Sequence, residues 1–267
     1  MVVALGNSFL LGGAGAVGGR SSEVALLSNN RLATVWVNHA SSQDPIPQVG
    51  DRDTTVVLLR LSDANGNNPG RAIQVNTSTS GMQGDPQILA LSGGRFVVAW
   101  TDGPTATGQV EARAQIFSAS GARIGGEIQL ATLTAGDQEI PRLVATNGGE
   151  DFYASWTDAR SGLGDGLVTQ HFDGLTGARI GGELIAASYG ISRAEFVQMT
   201  DGSYRYVSDW VHSTDLLPRS DYASILDLQG TVVSNDFAAN GLNWDAEAIA
   251  GNLLVIAGQR GGLYGAP

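Results

Sequence analysis

Cysteine is absent from all 267 residues. That excludes a disulfide framework, a thiolate metal site and a cysteine nucleophile. It leaves secretion open. Basic residues are scarce, 15 against 26 acidic ones, for a formal charge of −11. Phosphate recognition needs clustered basic side chains, so nucleic acid and anionic membrane surfaces are poor partners. Cations, neutral glycans and basic partners stay open. No run reaches the roughly 18–20 apolar residues of a membrane span, so insertion is not expected. The opening stretch MVVALGNSFLLGGAGAVGG has no basic segment and only weakly matches a secretory leader. Helical periodicity is missing as well: no stretch holds the i, i+3, i+4, i+7 pattern over a dozen residues.

Glycine is plentiful instead, with 37 copies. They stand at turn positions rather than in a Gly-X-Y period, which excludes collagen. Short apolar or alternating runs lie between them and read as strands joined by tight turns.

The chain repeats itself. Gly-Ala-Arg-Ile-Gly-Gly-Glu occurs at Gly121–Glu127 and again at Gly177–Glu183. Trp36, Trp100, Trp156 and Trp210 recur at spacings of 64, 56 and 54 residues. A period of that size points to a propeller, a solenoid or an array. Two units align closely. Pro86–Leu91 matches Pro141–Thr146, Phe96–Trp100 matches Phe152–Trp156, and Val110–Phe117 matches Leu167–Phe172. A short fourth strand is expected at Ile128–Ala131 and at Leu184–Ala187. Four strands in about fifty residues make one propeller blade.

The first and fourth units fit the same frame, and a fifth is partial, with Ala257 where tryptophan would stand. Its missing fourth strand is supplied by Ser8–Leu11. The expectation is therefore an all-β, single-domain, closed five-bladed propeller over residues 1–267. Its blades lie at about 21–76, 82–131, 137–187, 192–237 and 242–267 plus 1–12. An open β-solenoid or a two-sheet sandwich is the competing reading.

One tryptophan per unit is most simply a packing residue that fills the wedge between neighbouring sheets. Period-two alternation puts the residue two positions later on the same strand face. Those residues are Asn38, Asp102, Asp158 and His212, with Gln259 in the partial unit. The start of the first strand carries Glu23, Gln87, Arg142, Glu195 and Glu247. In a propeller these two sets share one rim and form a candidate ligand-binding ring. The long segments Asn38–Asp53 and His212–Asp221 open on that rim. Its carboxylates could supply some of the oxygens calcium needs, although no calcium-loop spacing is present. No other cofactor is expected. GAGAVGG at Gly13–Gly19 has no lysine and no helix after it, so it is a connector rather than a phosphate loop.

GGRFVVAWTD (Gly93–Asp102), ARAQIFSASGARIGGEIQL (Ala112–Leu130), TQHFDGLTGARIGGE (Thr169–Glu183) and AIQVNT (Ala72–Thr77) carry a family likeness. They resemble the tryptophan-containing β-repeats, near fifty residues long, of very large secreted or surface proteins of Gram-negative bacteria, often of the RTX type. The resemblance implies a secreted or cell-surface β-propeller-like module with a binding or adhesion role. It brings no catalytic residues. The function expected is recognition of a carbohydrate or similar extracellular ligand by a monomer. The alternatives are a polysaccharide hydrolase or lyase on the same scaffold, and a purely structural repeat domain. A lectin-like ring needs equivalent residues in every blade, whereas an enzyme needs one asymmetric constellation.

Overall fold

Where β-branched and aromatic residues alternate between Gly, Asn and Ser turns, a computed structural model places strands. It describes residues 22–39, 55–78, 81–103, 108–160, 166–187, 191–199, 202–210, 222–226, 232–238, 243–249 and 253–259. The expected strand at Ser8–Leu11, the segment Gly261–Pro267, His212 and the greater part of both long rim segments lie outside these residues. The first sheet joins β1 (Ser22–Leu26), β2 (Arg31–His39), β3 (Thr55–Asp63) and β4 (Ile73–Gln74) in chain order. The second joins β5 (Met82–Ala90), β6 (Phe96–Gly103), β7 (Glu111–Phe117) and β8 (Arg123–Gln129). The third holds β9 (Gln138–Thr146), β10 (Asp151–Asp158), β11 (Gly166–Asp173) and β12 (Arg179–Ala187). The fourth holds β13 (Ile191–Gln198), β14 (Tyr204–Trp210), β15 (Tyr222–Leu226) and β16 (Val232–Ala238). Strands β17 (Asn243–Ile249) and β18 (Leu253–Gln259) form a pair. The only helical turns among the described residues are the short 3-10 turns Ser92–Gly94 and Asn147–Gly149.

Contacts divide the chain into two compact units. One comprises residues 1–154 with 170–182, the other 155–169 with 183–267.

In the first unit, β1 lies against β5 and β5 against β9, so the first strands of successive sheets are neighbours. Trp100 is fully buried in the seam between the first two sheets, among Val35, Val57 and Leu59 of one and Phe96 and Val98 of the other. Trp36 lies on the opposite face of the first sheet, with Val56 and Leu58. The packing role expected for these rings is what is observed. Phe96 stacks on Phe117 at 5.2 Å and Phe152 on Phe172 at 5.3 Å, so a second pair of rings recurs with the repeat.

The duplicated heptapeptide has a mechanical reason. Arg123 Nη2 donates to the carbonyls of Gln74 (2.8 Å) and Val75 (3.0 Å) in the preceding unit. Arg179 Nη2 does the same to Gln129 (2.6 Å) and Ala131 (3.1 Å). Each motif thus ties its own outer strand to the outer edge of the sheet before it. Reading a fourth strand only from Ile128 and Leu184 was too short. The strands begin at Arg123 and Arg179 and continue through the Gly-Gly pair. The pair forms a bulge rather than a turn: Ala114 faces Ile128 and Ile116 faces Ile124, with Gly125 at φ +68° between them. Bulges of this kind also interrupt an exposed edge that could otherwise template aggregation.

The third-to-fourth-strand turns are held by side chains. Asp63 accepts from the amides of Asn65 and Asn67. Asp173 accepts from the hydroxyl and amide of Thr176, which hold its carboxyl below the ordinary range.

Ile140 has φ +52° and matches Asp85 (φ +46°) in the preceding unit. Its amide donates to Thr101 Oγ1 at 3.1 Å. The left-handed region costs a β-branched residue roughly 1–2 kcal/mol. Ile140→Gly is therefore expected to raise stability by up to about 1 kcal/mol after glycine's own entropy loss. Urea unfolding measures it, and a lower midpoint would mean that the Ile140 side chain contributes more by packing than its backbone costs.

Candidate functional site

Antiparallel register decides which side chains meet at the end of each second strand. Trp100 stands opposite Arg113, Asp102 opposite Glu111, and Arg113 opposite Gln129. Opposite residues share a face, so Asp102, Glu111 and Arg113 meet beside the buried tryptophan. Arg113 ion-pairs with three carboxylates, of which only Glu111 receives a hydrogen bond, from Nη2 at 2.6 Å; Nε lies 3.0 Å from Asp102 and Nη1 3.6 Å from Glu127. Gln83 Nε2 donates to the other Asp102 oxygen at 2.9 Å. Gln83 is itself fixed across the seam, where Thr55 Oγ1 donates to its carbonyl at 2.7 Å. Glu127 accepts from the Thr77 amide of the first sheet.

Asp102 is only 2% exposed. Burial pushes its carboxyl up, and Glu127 and Glu111 add to that push. Gln83 and Arg113 oppose it without cancelling it. A carboxyl raised in the folded state gives stability that is complete below its unfolded pKa, about 3.9. That stability is lost as pH rises through the folded value. Asp102→Asn cannot ionise and keeps an acceptor for Gln83. Relative to wild type it is expected to be less stable near pH 3.5 and to gain steadily through the raised range, ending within about 1 kcal/mol at pH 7. Denaturant midpoints from pH 3 to 8 check this. A difference independent of pH would show that Asp102 titrates normally.

The third sheet solves the same problem differently. Asp158 is fully buried and accepts from Trp156 Nε1 at 3.0 Å. The amide of Arg160 (3.0 Å) and its Nε (2.8 Å) donate to Oδ1, and Nη2 donates to Oδ2. Arg160 Nη1 reaches Glu183 at 2.8 Å. These bonds push the Arg160 guanidinium pKa further up. Asp158 and Glu183 each follow Asp102 and Glu127 by 56 residues, yet the arginine between them comes from the loop after β10 rather than from the third strand. In the first sheet, Asn38 and Ala72 take the acidic positions and Leu58 takes the place of Arg113. The Trp36 and Trp100 indole N–H groups are buried without a hydrogen-bond partner, unlike that of Trp156.

Among the other expected ring residues, the half-buried Glu23 and Gln87 come together. Gln87 Nε2 and the Ile88 amide both donate to the Glu23 carboxylate, linking β1 to β5. Asn38 is buried at the end of β2, opposite Val56. Arg142 is half-buried, and its Nη1 donates to the Pro141 carbonyl at 3.2 Å. Glu195 lies on β13 opposite Val207 and Glu247 on β17 opposite Val255. The side chains of Glu195 and Glu247 lie outside the described residues. Among the described residues, no three His, Asp or Glu side chains gather as a metal site.

Sequence reasoning missed Gln83, Glu111, Arg113, Glu127, Arg160 and Glu183. The signal for four of them, Glu183 included, was present. Glu111 and Arg113 are the polar alternates of a half-buried third strand, and Glu127 closes the heptapeptide that is repeated at Glu183. Arg160 had none, because a loop arginine follows no strand period.

No protein-family model matches the chain, and no curated protein matches it. Solved structures do. The chain is similar to an α-L-arabinanase of Penicillium chrysogenum complexed with arabinobiose. Identity is 14%, coverage is 91% of this chain and 76% of that one, and the TM-score is 0.63. It is also similar to the GH93 α-L-arabinofuranosidase of Fusarium graminearum with arabinobiose. There identity is 13%, coverage 89% and 74%, and the TM-score 0.56. At such identities the likeness speaks for architecture alone, and that architecture is the all-β propeller built from four-stranded antiparallel sheets.

Proposed function

We propose that this chain is a closed five-bladed propeller that acts on carbohydrate as a hydrolase or lyase, in a secreted or cell-surface setting. The supporting observation is asymmetry. Three carboxylates converge on one arginine at the end of the second sheet, two do so in the third, and among the described residues the first sheet has none. A lectin-like ring of equal sites would repeat one constellation, and this chain does not. Burial raises the Asp102 carboxyl above the ordinary range, the direction in which a general acid is shifted. Glu111 directly opposite is the second carboxylate that glycoside cleavage requires. The fold is that of proteins solved with arabinobiose bound.

A second reading, a recognition module of the RTX-repeat kind, is favoured by Asp158. Its oxygens are all occupied by donors of its own chain, which suits a positioning role and not proton transfer.

Neutral and charged oligosaccharides incubated with the protein, with release of reducing or unsaturated ends followed, separate the two. Turnover abolished in Glu111→Gln supports the enzyme. Glycan-array binding without turnover supports the module, and loss of that binding on chelation would add calcium. Neither binding nor turnover would overturn both and leave a structural repeat domain. The closed ring has its own test. Because the chain has no cysteine, spin labels on Phe9→Cys and Tyr264→Cys report one distance. A short one supports closure by the two tails, and a long one excludes it.

A further inference from the structure

Two glutamines hold the same place in successive sheets, Gln83 near the start of β5 and Gln138 at the start of β9, and both are buried. Their side chains go to different partners. Gln138 Nε2 donates to the Gly136 carbonyl at 2.7 Å, two residues back in its own segment. Gln83 Nε2 donates to Asp102 Oδ1 at 2.9 Å, on the strand directly opposite. What holds each main chain also differs. The Gln138 amide donates to the backbone carbonyl of Val110 at 2.9 Å. Gln83 is held at both main-chain groups by one hydroxyl of the first sheet. Its amide donates to Thr55 Oγ1 at 2.5 Å, and Thr55 Oγ1 donates to its carbonyl at 2.7 Å. A hydroxyl can do both at once. Thr55, Gln83 and Asp102 are 5%, 1% and 2% exposed, so the whole chain of bonds is shielded from water. A contact needed only for packing would return with the repeat, as the tryptophans do. This one does not.

We propose that Thr55 and Gln83 are positioning residues for Asp102: through the Thr55 hydroxyl and the Gln83 amide, the first sheet sets the orientation of a carboxyl on the second. The inference rests on the carbohydrate-cleaving reading above and adds two residues to it. Both act through Asp102 rather than on the sugar. The charged groups around Asp102 are Arg113 and Glu111 on β7 and Glu127 on β8. The first sheet brings the Thr55 hydroxyl, and the Thr77 amide that donates to Glu127. Burial raises the Asp102 carboxyl, and the Gln83 bond, which favours the charged form, opposes it. Loss of that bond therefore moves the Asp102 titration further up. It also frees the carboxyl to turn, and a catalytic group misplaced by about 1 Å can cost on the order of a hundredfold in rate.

The test is Thr55→Val in the intact protein, which keeps the shape of the side chain and removes the hydroxyl. Two quantities are read. One is the pH titration of the Asp102 side-chain carboxyl carbon by magnetic resonance, assigned by its loss in Asp102→Asn. The other is kcat and KM on arabino-oligosaccharide, xylo-oligosaccharide and oligogalacturonate. The titration should move to higher pH, and kcat should fall roughly tenfold or more with KM within about twofold. Thr55→Ser restores the hydroxyl and should return both. Stability is not the readout, since any contact in the seam would move it. Gln83→Met keeps the backbone bonds to Thr55 and removes only the amide, so it should reproduce both shifts if Thr55→Val does not fold. A titration unmoved in either folded variant would overturn the inference. A displaced titration with unchanged kcat would overturn the part of these residues in turnover. If the wild type cleaves none of the three probes, the cleavage reading loses its support, and the carboxyl titration still decides whether Thr55 and Gln83 position Asp102.

Discussion

Trp100→Ala is expected to lower stability by roughly 3–5 kcal/mol, the usual cost of emptying an aromatic core position. The ring is fully buried, and the residues around it come from two sheets, Val35, Val57 and Leu59 on one side and Phe96, Val98 and Phe117 on the other. Those residues cannot collapse into the void without moving one sheet against its neighbour, which places the expected loss at the upper end. For a chain of this size each kcal/mol shifts the thermal midpoint by about 2–4 °C. The melting curve should therefore move by about ten degrees. Trp→Phe at two sites adds a sharper comparison. At position 100 the indole N–H has no partner, so Trp100→Phe loses ring area and no hydrogen bond. At position 156 the N–H donates to Asp158 at 3.0 Å, so Trp156→Phe also leaves a buried carboxylate one donor short. That adds roughly 1–3 kcal/mol. Equal losses at the two sites would mean that the Trp156–Asp158 bond contributes nothing net. An unchanged midpoint in Trp100→Ala would show that the ring is not a packing element at all.

The period was legible because packing between like sheets must be solved again in each one. Trp36, Trp100 and Trp156, and the ring pairs Phe96–Phe117 and Phe152–Phe172, answer one geometric demand, so the same residue types return at one spacing. Asp102 and Asp158 could be found for the same reason: a strand's alternation carries the residue two places on to the same face. What alternation cannot tell is whether a polar side chain at a strand end looks out or in. Both aspartates look in. Their partners also come from elements with no fixed spacing to the tryptophan, Arg113 from the third strand in one sheet and Arg160 from a loop in the next. A charge pair can be closed from any direction within reach, so evolution can move the arginine and keep the pair. The Gly-Gly pairs misled for a related reason. Glycine marks a turn or a bulge equally well, and only the register shift between Ala114 and Ile116 decides for a bulge.

Gly177→Ala should be the most damaging single-methyl change in the repeated motif. At φ +73° the residue sits in the left-handed region, where a Cβ costs roughly 1–2 kcal/mol. That Cβ would also stand 2.5 Å from Ile128 Cδ1 and 3.0 Å from its Cγ1, side-chain atoms of the preceding sheet. Overpacking of this kind costs roughly 1–3 kcal/mol, so a total near 2–5 kcal/mol is expected. Gly181→Ala is the internal control. Its φ is +71°, but an added Cβ would meet nothing within 4 Å, so it should show the backbone cost alone. Ile128→Val removes the methyl that Gly177→Ala would strike. Combined with Gly177→Ala it should restore part of the lost stability, although each change alone is destabilising. The double-mutant cycle therefore carries a favourable coupling of about 1 kcal/mol, within the range found for residues in contact. Gly121 faces Ile73 Cδ1 at 2.8 Å in the sheet before its own, and Gly121→Ala with Ile73→Val should repeat the pattern one repeat earlier. Additive losses at both places would mean that the motif's first glycine serves only its own turn. The recurrence of Gly-Ala-Arg-Ile-Gly-Gly-Glu would then need a cause other than contact between successive sheets.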